Sequence, residues 1–135
     1  MKKIAIAIVA VIALLANVNL SAQSVDDQIA QINAMDRDVV FNFTAEGMKQ
    51  SFGKNNVKAD LKKRVITITE SINKDLGDAT SADLKKEFLK EVAGSNSAEK
   101  KLIKAIMLRG QFSLLFQMRG NDKTLSCTLY ASDIK

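Results

Sequence analysis

The sequence predicts an α+β fold: a three-stranded antiparallel sheet packed on one face by three to four helices. Three observations predict it. Apolar residues recur at helical spacing in several separate stretches. Residues 38–44 alternate as a strand does. Two C-terminal runs, 112–118 and 125–129, place their apolar side chains on matching faces of a hairpin.

Taken in order, Val25, Ile29 and Ile32 fall at i, i+4 and i+7, which predicts a helix over 25–34. Ser24 is its cap, and Asp26 and Asp27 occupy the first turn, where the helix dipole favours negative charge. In DVVFNFTA, Val39, Phe41 and Phe43 alternate with Val40, Asn42 and Thr44. This reads as the early strand, aromatic face inward. Its Asn42-Phe43-Thr44 triplet matches a glycosylation acceptor, but a strand is not the surface loop such a site needs. In 45–53, Met48 and Phe52 stand four apart and Gly53 can end a short helical turn.

Residues 55–77 carry two conflicting signals. The core RVITIT is β-branched and locally strand-like. Val57, Leu61, Val65, Ile68 and Ile72 keep helical spacing over a longer stretch. Long periodicity outranks six residues of propensity, so a helix is expected over 56–75, at the cost of an exposed Ile66.

A helix over 80–93 follows, with Thr80 and Asp83 as a capping-box-like pair and Leu84, Phe88 and Val92 as its stripe. Another begins at Asn96 or Ser97 and runs through Leu108, apolar nearly all round its second half. Gly110 ends it. The closing hairpin turns at Asn121-Asp122 and sets Met118 opposite Leu125, Phe116 opposite Cys127 and Leu114 opposite Leu129. The early strand 38–44 is expected to complete the sheet by pairing with this hairpin.

The chain opens MKKIAIAIVAVIALLANVNLSAQS. Lys2 and Lys3 precede an apolar run from Ile4 to Ala16, then a polar break and small residues, the pattern of a cleavable secretory signal. A spanning helix needs about 20 apolar residues, more than this run offers. Cleavage after Ala22 leaves residues 23–135 as one small domain and lowers the formal charge from +5 by the two lysines lost. No cysteine stands near the cut to be acylated, so no lipid anchor is expected. The MKK start and SAQ ending resemble the signal peptides of small exported proteins from Bacteroidetes. The resemblance covers only this segment, and it implies the periplasm or exterior of a Gram-negative bacterium. The element order also resembles small exported bacterial domains of unknown function.

The composition excludes much chemistry. The chain has no histidine and one cysteine, so Ser-His-Asp and Cys-His sites and ordinary zinc sites are out of reach. No phosphate-binding glycine loop occurs, and neither Asp26-Asp27 nor Asp36/Asp38 has calcium-loop spacing. No cofactor, metal or catalytic residue is expected, and a non-enzymatic binding or interaction module is the leading reading, with a protein partner or a homodimer. Leu115, pointing away from the hairpin's core face, is a candidate contact. The alternative is a peripheral envelope protein that holds anionic lipid or lipopolysaccharide through Lys49, Lys54, Lys58, Lys62, Lys63 and Arg64. Few aromatics are interleaved with these cations and the charge surplus is mild, which argues against nucleic acid. Cys127, on the core side of its strand, is expected to be an inert, packed thiol.

Overall fold

The computed structural model describes residues 24–94 and 97–134. The expected signal segment, 1–22, lies outside the described residues.

Two helices open the fold. In α1, Val25–Ala34, the Ser24 hydroxyl accepts the Asp27 N–H at 3.2 Å, as the cap reading requires. The segment expected to be the early strand is instead the first half of a long helix, α2, Arg37–Phe52. The period decides it. The buried side chains are Val40, Phe41, Thr44, Ala45 and Met48, a helical stripe, while Val39 and Phe43 are exposed. Alternation over 39–43 is a short sample that the 3.6-residue period also fits. Asp36 caps the start by accepting the Asp38 N–H at 2.8 Å. The buried Thr44 hydroxyl donates to the Val40 carbonyl at 2.7 Å. Gly53, at φ 98°, takes the chain out of the helix through a conformation that a side chain would strain.

A 3-10 turn, Lys54–Asn56, leads into a β-hairpin where a helix was expected over 56–75. Strand β1 is Val57–Asp60 and β2 is Val65–Ser71, paired antiparallel from Val57↔Ile68 to Asp60↔Val65. The β-branched RVITIT core wins because a sheet buries it on alternate positions. Ile66 and Ile68 are fully buried, whereas Leu61, a member of the expected helical stripe, is exposed in the turn. Helical spacing over this stretch is a coincidence of two strands and the turn joining them.

Helices α3, Ser81–Gly94, and α4, Ser97–Gly110, return the chain to the sheet. The Thr80 and Asp83 pair forms a reciprocal cap: the Thr80 N–H reaches the Asp83 carboxylate at 2.9 Å and the Asp83 N–H reaches the Thr80 hydroxyl at 3.2 Å. These bonds hold the Asp83 carboxyl below its ordinary value, the Thr80 N–H contributing most.

Because two helices intervene, β3, Ser113–Arg119, lies parallel to β2. Strand β4, Thr124–Leu129, is antiparallel to β3, in the expected register of Met118↔Leu125, Phe116↔Cys127 and Leu114↔Leu129. The sheet is therefore four-stranded and mixed, in the order β1-β2-β3-β4, and not the three-stranded antiparallel sheet expected. The α+β class stands; the membership and direction of the strands change. A short 3-10 turn, Ala131–Asp133, ends the described chain.

The core lies on one sheet face. Val57, Ile68, Phe116 and Cys127 form one cross-strand row, and Ile66, Leu114 and Leu129 form another. The helices cover them with Val40, Phe41, Met48, Leu84, Phe88, Ile103 and Ile106. Phe88 meets Phe116 edge-on at 4.6 Å between ring centres, and Phe41 meets Phe112 at 5.6 Å.

Candidate functional site

The six basic residues of 49–64 do not form one cluster. Lys49 ends α2 and pairs with Glu46 at 3.5 Å. Lys54 sits in the following 3-10 turn. Lys58 is on β1, on the sheet face away from the helices, opposite Thr67. Lys62 and Lys63 lie in the β1–β2 turn, at the far end of β1 from Lys54. A helix would have set Lys58 and Lys62 one turn apart on a shared face; the hairpin separates them.

Arg64 is fully engaged. Its guanidinium donates to the Asp38 carboxylate at 2.7 Å, to the Gln111 carbonyl at 3.2 Å and to the Gly110 carbonyl. It also stands over the Phe41 ring at 5.1 Å. One side chain thus joins the β1–β2 turn, the start of α2 and the end of α4. The backbone completes the junction, since the Ser113 N–H donates to the Arg64 carbonyl at 3.0 Å. Arg37 adds a bond to the Gln111 side-chain oxygen at 2.7 Å. Arg64 (φ 57°) and Gln111 (φ 51°) are the non-glycine residues with positive φ among those described. Their strain is concentrated where the chain leaves the β1–β2 turn for β2 and where it passes from α4 to β3.

At the other end of the sheet, the hairpin tip docks on the loop after β2. The Asp122 carboxylate accepts the Leu76 N–H at 2.7 Å and the Gly77 N–H at 3.0 Å. The Leu76 bond is the main cause that holds the Asp122 carboxyl below its ordinary value. Gly120 permits the approach: a Cβ there would sit 2.7 Å from Leu76 Cγ and 2.9 Å from the Lys74 carbonyl oxygen. Near the edge of β4, Lys85 pairs with Asp133 at 3.1 Å beneath the exposed Tyr130 ring.

Cys127 faces the core in the row with Phe116, Ile68 and Val57, and it is 8% exposed. Burial pushes its thiol up from the ordinary value; the opposing attraction of Lys85 is the smaller effect. No group of three or more carboxylates and cysteines among the described residues is placed to hold a metal ion. The described residues form, among others, two open depressions. One of about 250 Å³ is bordered by Ser51, Asn56, Thr69 and Glu70, and one of about 340 Å³ by Glu46, Lys49, Gln50 and Lys54.

Among the described residues, the helices pack on the core face, and the sheet's second face carries none of them. Lys58, Thr67, Leu115 and Thr128 form a row across all four strands. Thr69, Gln117 and Ser126 form the next row, with the Thr69 hydroxyl bonded to Gln117 at 3.2 Å. Leu115 is half-buried among hydroxyl and amide groups. Alternation in 112–118 assigns Leu115 to this face from sequence; Thr67 and Lys58 join it only through the hairpin that helical spacing concealed.

Searches against family models, curated proteins and solved structures find no match. Among the described residues, no helix is long and apolar enough to cross a membrane.

Proposed function

We propose that the chain is an exported, non-enzymatic interaction module of a Gram-negative envelope or its surroundings, and that its open sheet face meets a protein partner. The carrying observation is the row Lys58-Thr67-Leu115-Thr128. An apolar centre ringed by hydroxyl, amide and ammonium groups has the composition of a protein contact, where an apolar middle is sealed by a polar rim. Four strands hold these side chains in fixed register, so little order is lost on binding. The absence of histidine and the burial of the single thiol support the non-enzymatic part.

The test is site-specific photo-crosslinking in the native envelope. A benzophenone side chain replaces Leu115, and in a second protein it replaces Lys86, exposed on α3. A discrete adduct from position 115 and none from position 86 is expected. Adducts from both positions, or from neither, refute the open face as the contact. Intact mass of the same secreted material checks export: it should begin at Gln23.

A further inference from the structure

The end of the molecule around Arg64 gathers two kinds of side chain that the sequence keeps far apart. Val39, Leu61 and Leu108 are exposed, at 39%, 41% and 58%. Each lies one to three residues from an atom that Arg64 joins: Val39 follows Asp38, Leu61 begins the turn that Arg64 ends, and Leu108 precedes Gly110 by two. The same three segments carry Arg37, Lys62, Lys63, Arg64, Lys104 and Arg109, of which Arg109 donates to the Met35 carbonyl at 2.6 Å. The carboxylates there are Asp36, Asp38 and Asp60. Asp38 is neutralised by Arg64, and Asp60 accepts the Lys63 N–H at 2.9 Å. Lys62 and Lys63 make no ion pair among the described residues.

We infer that this end docks on an anionic bilayer surface, with Leu61 at the hairpin tip entering the headgroup region and Lys62 and Lys63 contacting lipid phosphates. Charge complementarity names the occupant. An exposed leucine followed by two lysines without an ion pair supplies the two weak signals, apolar insertion and electrostatic attraction, that reversible surface binding combines. Long lysine stems reach outward while their tips stay wet. The surface keeps only Lys62 and Lys63 of the 49–64 set as free contacts and adds Leu61 beside them. It does not depend on the open sheet face, and a failure of either leaves the other standing.

The test is flotation of the chain 23–135 with vesicles of phosphatidylethanolamine and phosphatidylglycerol, against neutral phosphatidylcholine vesicles. Binding to the anionic vesicles that weakens strongly between about 0.05 and about 0.5 M salt is expected. Lys62→Ala/Lys63→Ala should bind roughly twenty-five-fold more weakly, about fivefold for each lysine. Leu61→Ser should bind about tenfold more weakly at high salt as well as low. The control, Lys86→Ala/Lys90→Ala on α3, should bind as the parent does. These positions are solvent-facing, and circular dichroism checks that each variant is folded. Equal binding to neutral vesicles, no binding at low salt, or an equal loss in the control overturns the inference. So does release by inorganic phosphate at matched ionic strength, which would mark a phosphate site and not a bilayer contact.

Discussion

The Arg64 guanidinium meets the Asp38 carboxylate at 2.7 Å across 26 positions of sequence. The bond is one of three that the guanidinium donates, and the other two reach the carbonyls of Gln111 and Gly110 at the end of α4. Helix ends leave carbonyls without intrahelical donors, so a cation placed there satisfies them and also complements the helix dipole. The same residue bears a left-handed backbone that a side chain disfavours.

These two effects oppose each other, and mutation separates them. Arg64→Ala removes the donors and retains the strain, so it should cost about 2 kcal/mol in urea unfolding. Arg64→Gly removes the donors and the strain together, and should be about 1 kcal/mol more stable than Arg64→Ala. Asp38→Asn should cost about 0.5 kcal/mol, since its carboxylate is half in water and screened. Equal stability of the alanine and glycine variants would show that the backbone at Arg64 is not strained.

The tip of the β3–β4 hairpin gives a pH prediction. Asp122 carries a lowered carboxyl because it accepts two backbone N–H groups. As pH falls through the ordinary value near 3.8, the unfolded chain takes up a proton before the folded one does. The contribution is thus whole above that value and is lost as pH falls through the lower folded value. Asp122→Asn should melt below the parent at pH 7, and the two curves should converge in acid. A gap that stays constant down to pH 2 would mean that the charge of Asp122 plays no part.

How far the fold was legible depends on how many residues each pattern sampled. The helices at 25–34 and 80–93 carried caps as well as stripes, and two agreeing signals placed them well. The C-terminal hairpin had a turn and matching faces, and its register came out residue for residue. The early strand rested on Val39, Phe41 and Phe43 alone, too few positions to separate a period of 2 from 3.6. Over 56–75 the error ran the other way, because Leu61 and Val65 happened to fall at helical spacing across a turn. The site inherited these errors. Leu115 was visible as an outward residue, but its neighbours Thr67 and Lys58 belong to strands that had been read as helix. The junction at Arg64 was invisible, since nothing local links Asp38, Arg64 and Gly110.

The identity of α2 can be tested by comparing adjacent residues. Val40 is fully buried and Val39 is exposed. Val40→Ala should cost roughly 1–3 kcal/mol, whereas Val39→Ser and Phe43→Ser should each change stability by about 0.5 kcal/mol or less. A strand with its aromatic face inward gives the reverse order, so the comparison decides between them. Ile66→Ala, at the position a helix over 56–75 would have exposed, should cost about 2–5 kcal/mol.

The lone thiol offers a last measurement. Cys127 sits opposite Phe116, whose ring is held edge-on by Phe88, and its strand neighbours on that face are Leu125 and Leu129. Burial raises the thiol above its ordinary value, so thiolate is scarce at neutral pH, and Lys85 offsets only part of this. Both access and ionisation therefore oppose reaction. Alkylation of the folded protein should be slow and should track the unfolded fraction as urea is added, reaching the rate of a free thiol only past the unfolding midpoint. Cys127→Ser buries a hydroxyl in place of a weakly polar thiol and should cost about 1–3 kcal/mol. Labelling of the native protein at the rate of an exposed cysteine would mean that the helices leave this row of the sheet open, and the core face drawn through Val57, Ile68, Phe116 and Cys127 would have to be abandoned.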